Sequence, residues 1–223
     1  MKRLLDIDMG TMEGFCRFFA PGQVRYLEEL HRQFLLEFDF VAEAEDLALV
    51  GRNMRRFRRS LRLPRVLPEY CGEAIVAMEH IEGPTLLDYS NAWAARLERL
   101  PKPLALLPAL LLRRKALQAL DTLLLAHGWQ VLMDGVFNGD PHPGNILMCP
   151  DGRLGLIDYG QVKHLSDAAR LGLARMVVAL AHDDRDSTVK EAVVIGFRTE
   201  HMDPDVIFRQ AQVWFDRDDD VGE

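Results

Sequence analysis

The chain has 223 residues, 48% of them hydrophobic and 27% charged, which is too apolar for a disordered polypeptide and long enough for one large domain or two small lobes. Its 27 Lys and Arg against 34 Asp and Glu leave a formal charge of minus 7, which excludes a general nucleic-acid binder. Cys16, Cys71 and Cys149 stand far apart with no Cys-x-x-Cys pair, so neither a disulfide framework nor a zinc ribbon is indicated, and a reducing compartment is expected.

In chain order, Met1 to Asp6 lack both a sustained apolar region and an Arg/Ser-rich, acid-poor character, so no targeting segment is visible. From Val24 to about Phe57, Leu27, Leu30, Phe34 and Phe38 recur at helical spacing, with Pro21-Gly22 as an entry signal. This predicts one long helix or two consecutive ones, the second capped by Asp39. Arg52, Arg55, Arg56, Arg58, Arg59, Arg62 and Arg65 form a basic stretch suited to anionic lipid head groups or nucleotide phosphate; its plainer reading is a solvated helix end. Leu63 to Leu67 and Ala74 to Met78 read as a hairpin turning at Cys71-Gly72-Glu73, and Glu82-Gly83-Pro84 ends it. Pro101, Pro103 and Pro108 predict a stiff connector before a Leu-rich helix from about Leu110 to His127. The apolar run from Leu104 to Leu112 is too short for a membrane span. Ile146 to Met148 and Leu154 to Ile157 make a second hairpin around Pro150-Asp151-Gly152. Helices follow at about Asp167 to His182, at Thr188 to Ile195 with a Thr188/Glu191 capping box, and at Pro204 to Phe215 behind an Asp203 cap, before an acidic end expected to fray.

The chemistry concentrates in Asn138-Gly139-Asp140-Pro141-His142-Pro143-Gly144-Asn145 and Leu156-Ile157-Asp158-Tyr159-Gly160. In kinase-like phosphotransferases a catalytic-loop Asp stands five positions before a metal-binding Asn, and a second metal-binding Asp opens a turn after a short hairpin. Asp140 and Asn145 keep that spacing, and Asp158 lies thirteen residues beyond Asn145. A phosphoryl group in transfer carries concentrated negative charge, so Asn145 and Asp158 are expected to hold Mg²⁺ against it while Asp140 orients the nucleophile, the three converging in one pocket. Turn composition alone explains either half but not the combination. Asp140-x-His142 also suggests part of an iron site, but no second suitably placed His accompanies it, and His142 is expected to brace the loop. A kinase needs one acidic residue on its regulatory helix to hold the phosphate-contacting lysine, and Glu43 is well placed for that; its plainer reading is a solvated helix face.

These residues resemble the UbiB-like atypical kinases, a branch of the protein-kinase-like superfamily linked to quinone and prenyl-lipid metabolism. The resemblance rests on Glu37-Phe38-Asp39 with Glu43-Ala44, on Val76-Ala77-Met78-Glu79 followed by Gly83, and on the runs around Asp140 and Asp158. It implies an α+β, protein-kinase-like fold, with a partial N-terminal lobe over residues 1–79 and a mostly helical C-terminal lobe over 80–223. It implies ATP and Mg²⁺ as cofactors, Glu37, Asp39, Glu43 and Glu79 on the nucleotide side, Asp140 as the catalytic-loop acid, and Asn145 and Asp158 as metal ligands. Gly139 stands where the family usually has alanine, and Tyr159 where phenylalanine is common.

The family's Lys-x-Gly-Gln segment, alanine-rich loop and strand lysine have no counterpart in these 223 residues, so the chain reads as a family member beginning after its nucleotide-clamping part, with ATP turnover expected to be impaired. Two other readings stand beside this one: a small-molecule phosphotransferase of the aminoglycoside or choline kinase type, and an inactive pseudokinase docking module. The expected partners are a nucleotide and a peripheral membrane or prenyl-lipid enzyme contact. The expected setting is a mitochondrion, a plastid or a bacterial membrane, and not secretion.

Overall fold

A computed structural model describes residues 2–36, 38–199 and 201–215. Two compact units emerge: residues 1–122 with 138–162, and 123–137 with 163–223. They are defined by internal packing.

The first unit opens with α1 (Lys2–Phe19), a short 3-10 turn at Pro21–Gln23, and α2 (Val24–Leu36). Met9 and Leu27 are buried where these helices meet, and His31 on α2 reaches Asp6 at 3.0 Å. The long helical stretch is indeed two helices. The second, α3 (Phe40–Asn53), starts where the Asp39 carboxylate accepts a hydrogen bond from the Ala42 N–H at 3.1 Å. Leu47 and Val50 anchor α3, and Met54 anchors the 3-10 turn that follows it.

The first predicted hairpin is reduced to isolated pairings. Leu67 N–H bonds Ala77 O at 2.9 Å and Glu79 N–H bonds Arg65 O at 2.8 Å, with single bridges at Val66–Met78 and Gly72–Ile75. Pro64 and Pro68 have no N–H to give to a ladder, and Pro68–Tyr70 coils into a 3-10 turn instead. The regular sheet lies elsewhere. It is built from β1 (Leu61–Arg62), β3 (Ile146–Met148) and β4 (Leu154–Leu156) in the order β1-β4-β3, with β1 parallel and β3 antiparallel to β4. Leu147 pairs with Gly155, where a Cβ would come within 2.9 Å of Ile81 Cγ2. That close approach seats Ile81, Leu147 and Cys149 in one buried cluster.

A helix unread in the sequence, α4 (Leu86–Glu98), follows Glu82-Gly83-Pro84. Thr85 caps it, accepting from the Asp88 N–H at 3.0 Å while its hydroxyl donates to the Asp88 carboxylate at 2.7 Å. The expected proline connector is itself helical: α5 runs from Lys102 to Trp129. Pro103 falls in the first turn, where N–H groups have no helical partner in any case. Pro108 costs α5 only the bond to the Leu104 carbonyl, and the flanking leucines and alanines keep the helix going.

In the second unit α5 widens into a π-helical turn at Gln130–Asp134, closed by Gly135 at φ 68°. The Arg170 guanidinium donates to the Leu132 carbonyl at 3.0 Å and so satisfies that irregular turn. A two-stranded ribbon joins β2 (Val136–Asn138) and β5 (Val162–His164). Then come α6 (Asp167–Ala181), α7 (Arg185–Val194) and α8 (Pro204–Phe215) around Met176, Leu180, Ala192, Ile207 and Ala211. Asp203 does precede α8 as a cap, accepting from the Asp205 N–H at 2.8 Å. The Thr188 capping box does not form: Asp184 caps α7 through the Ser187 N–H, the helix starts three residues earlier, and Thr188 is fully buried with its hydroxyl donating to Asp184 O at 2.7 Å. The acidic segment 216–223 lies outside the described residues.

Candidate functional site

All the site contacts below lie within the first unit. The loop ahead of β3 is held by its own polar groups. Gly139 N–H bonds Gln161 O at 2.8 Å, His142 N–H bonds Asp140 O at 2.8 Å, and Asn145 N–H bonds His142 O at 2.8 Å. His142 Nδ1 accepts from the Gly144 N–H at 3.0 Å, so this ring braces the loop as expected.

The hairpin register of β3 and β4, with Ile146 opposite Leu156, brings the residues on either flank together. Ile157 N–H bonds Asn145 O at 3.1 Å, and the Asn145 Nδ2 donates to Asp158 Oδ2 at 2.9 Å. Asp158 Oδ1 accepts from the Gly160 N–H at 3.0 Å, which fixes the carboxylate. Asn138, which the sequence places in this run without a role, ties the site together through its amide: Oδ1 accepts the Asp140 N–H at 2.9 Å, and Nδ2 donates to the Asp158 carbonyl at 2.7 Å. Asp140 and Asp158 are thus joined through one side chain. The signal was a polar residue at a strand end inside a run already rich in function.

Asp140 and Asp158 are exposed, whereas the neighbouring Tyr159 is 1% exposed. The Tyr159 hydroxyl has no hydrogen-bond partner among the described residues, a burial cost of about 1–3 kcal/mol that phenylalanine would avoid.

Glu43 projects from α3 into the same neighbourhood. Burial raises its carboxyl above the usual range, and the charge of Asp158 raises it further. A carboxyl raised in this way stabilises the fold below its unfolded pKa, and that contribution disappears as pH rises through the folded value. Glu43→Gln is therefore expected to give a small rise in the thermal unfolding midpoint at pH 7 and no difference near pH 4. Calorimetry at both values checks this, and an unchanged or lowered midpoint at pH 7 contradicts it.

The other predicted residues separate from this group. Asp39 is occupied as the α3 cap. Glu79 accepts from Arg62 at 2.7 Å, and that hydrogen bond holds its carboxyl below the usual range; it faces a cavity that none of Glu43, Asp140, Asn145 and Asp158 lines. Glu37 lies outside the described residues.

Among the described residues no three His, Cys, Asp or Glu side chains gather closely enough to hold a metal ion. The donors at hand are one carboxylate and one amide oxygen, from Asp158 and Asn145. Hard oxygen donors of this kind, few in number, suit Mg²⁺, which keeps several waters and shares its shell with phosphate.

Residues 1–192 match the ABC1 atypical kinase-like domain. Among curated proteins the chain is 25% identical over 205 residues to Protein ACTIVITY OF BC1 COMPLEX KINASE 3, chloroplastic, of Arabidopsis thaliana, covering 89% of this chain and 26% of that protein. It is also 25% identical over 210 residues to AarF domain-containing kinase 1 of Drosophila melanogaster, covering 86% of this chain and 35% of the relative. Among solved structures, a Mycobacterium tuberculosis protein in complex with erythromycin superposes with a TM-score of 0.53 at 20% identity, covering 94% of this chain and 51% of that one. The chain thus spans about a quarter to a third of the curated relatives cited and half of the solved neighbour.

Proposed function

Because the chain belongs to the ABC1 atypical kinase-like family, we propose that it carries the metal-binding half of an ATP-handling site of the UbiB type, serving an atypical kinase or ATPase reaction that supports quinone or prenyl-lipid metabolism. The observation that carries the reading is the 2.9 Å contact between Asn145 and Asp158 beside the Asp140 loop. Asn145 and Asp158 hold Mg²⁺; when bound, the ion neutralises charge on the nucleotide phosphates. Asp140 lies on a loop whose backbone is pinned through Asn138, and it accepts a hydrogen bond from the attacking hydroxyl or water and orients it. Glu43, half-buried and with no cation partner among the described residues, is the acid that would hold a phosphate-contacting basic group. Of the described acids expected on the nucleotide side, Glu43 alone stands near Asp158; Asp39 caps α3 and Glu79 is held by Arg62 on a separate cavity, so neither takes a nucleotide role in this reading. The Arabidopsis relative is chloroplastic by name, and a plastid setting with peripheral membrane contact belongs to the same proposal. Among the described residues no helix is long and apolar enough to cross a membrane.

Isothermal titration with ATP tests the proposal. ATP is expected to bind with an affinity that rises at least tenfold when Mg²⁺ is present. ATP binding that is absent, or indifferent to Mg²⁺, rejects it.

A further inference from the structure

Five of the seven arginines in the stretch that the sequence left open as a lipid- or phosphate-facing surface, Arg52, Arg55, Arg58, Arg62 and Arg65, stand at the rim of a cavity. This cavity has a volume of about 810 Å³ and lies wholly within the first unit, between α3 and the irregular segment after β1. It is in the size range of small-molecule sites. None of Glu43, Asp140, Asn145 and Asp158 lines it, so the inference does not rest on the nucleotide reading.

The wall has two chemistries. Its floor is aliphatic: Val41 is 45% exposed and Leu63 and Val66 are part-exposed over the buried Leu47, Met54 and Leu61, and no aromatic ring contributes. Its rim carries Arg52, Arg55, Arg58, Arg62, Arg65 and Arg153, against which stand only the acids Glu45 and Glu79. In a chain with a formal charge of minus 7 this is a local reversal of sign.

Three of the arginines have their positive charge already answered. Arg62 pairs with Glu79 at 2.7 Å, Arg153 with Asp151 at 2.6 Å, and Arg65 acts electrostatically on Glu79. The side chains of Arg52, Arg55 and Arg58 have no hydrogen bond or ion pair among the described residues. Arg52 lies in the last turn of α3, and Arg55 and Arg58 lie one 3-10 turn apart, a spacing that stacks side chains on one edge. Like charges so stacked repel one another, and guanidinium forks suit an anion with several oxygens. Such an anion relieves the repulsion, while an aliphatic body attached to it displaces water from the floor.

We propose that this cavity is a binding site for an aliphatic phosphate ester, with the phosphate held by Arg52, Arg55 and Arg58 and the hydrocarbon seated on Val41, Leu63 and Val66. The same chemistry occurs in a free phosphate monoester and in an anionic lipid head group. The experiment separates the two sources.

Octyl phosphate, below its micelle concentration, is titrated into the protein by calorimetry beside butyl phosphate, inorganic phosphate and octyl glucoside. Octyl phosphate should bind at least tenfold more tightly than inorganic phosphate, and affinity should climb from butyl to octyl by up to about three- to fourfold per methylene. Octyl glucoside should not compete. The triple variant Arg52→Gln/Arg55→Gln/Arg58→Gln changes only exposed side chains; with an unchanged circular dichroism spectrum and unfolding midpoint, it should lose at least tenfold in octyl phosphate affinity. Equal affinity for inorganic and octyl phosphate, or a folded triple variant that binds like the parent, overturns the proposal. So does binding to phosphatidylcholine vesicles containing phosphatidic acid with no binding of monomeric octyl phosphate, because the arginines would then serve a bilayer surface and not the cavity.

Discussion

Asp158→Asn should weaken the protein's affinity for Mn²⁺, the paramagnetic stand-in for Mg²⁺, by roughly a hundredfold or more, since loss of a charged ligand exceeds the 10- to 100-fold typical of outer-shell changes. The substitution keeps the side chain's size and an oxygen able to accept the Gly160 N–H, the Asn145 amide can turn over so that its oxygen accepts from the new NH₂, and the Asn138 bond to the Asp158 carbonyl is untouched. Fold is therefore preserved while the anionic donor is removed. Electron paramagnetic resonance of free Mn²⁺, with and without ATP, reads the change directly. An affinity within threefold of the parent would show that the cation does not use this carboxylate.

Gly83→Ala should destabilise the protein by roughly 3 kcal/mol or more, combining backbone strain with overpacking. Gly83 sits at φ 144°, a conformation L residues rarely adopt, and an added Cβ would lie 2.5 Å from the backbone oxygen of Met148. That oxygen belongs to β3 and cannot retreat cheaply, because the Met148 N–H is bonded to Pro84 O at 2.9 Å. Gly72→Ala, where nothing lies within 4 Å of the new methyl, serves as the control and should change stability by less than about 0.5 kcal/mol. A urea midpoint for Gly83→Ala that matches the control would contradict the strain assignment.

Gly83 also marks where the sequence was readable and where it was not. The glycine was visible as a break, but its reason, the oxygen of Met148, comes from a distant stretch of chain that no local pattern reveals. The kinase-like fold was legible through the resemblance carried by the runs around Asp140 and Asp158, and the β3–β4 hairpin through two apolar runs flanking Pro150-Asp151-Gly152. Periodicity over Val24 to Phe57 left one helix or two open, and the Asp39 cap decides for two. Errors fell where competing local forces were close in size. Prolines at 101 to 108 suggested a connector, yet the surrounding leucines and alanines favoured helix strongly enough to absorb the one bond lost at Pro108. Thr188 and Glu191 have capping-box spacing, but Asp184 begins the helix first and burial claims Thr188. Asn138 escaped because a bridging amide has no spacing rule. Asp140, Asn145 and Asp158 could be singled out because their chemistry is local to two short runs.

The first unit is discontinuous, with Leu123–Phe137 of the second unit intervening between its two segments. During synthesis β1 must therefore wait for β4, since Leu61 finds its partner only when Leu154 has left the ribosome. At about 5 to 20 residues per second that wait lasts roughly 5 to 20 s. Over that interval Leu61 lacks the strand that will cover it, and Glu43 has been made well before Asp158. A nascent chain in this condition is a natural client for a chaperone. It also follows that no single contiguous fragment contains the first unit alone: a gene fragment ending at residue 122 lacks two of its three sheet strands, and one ending at 162 carries part of the second unit with it.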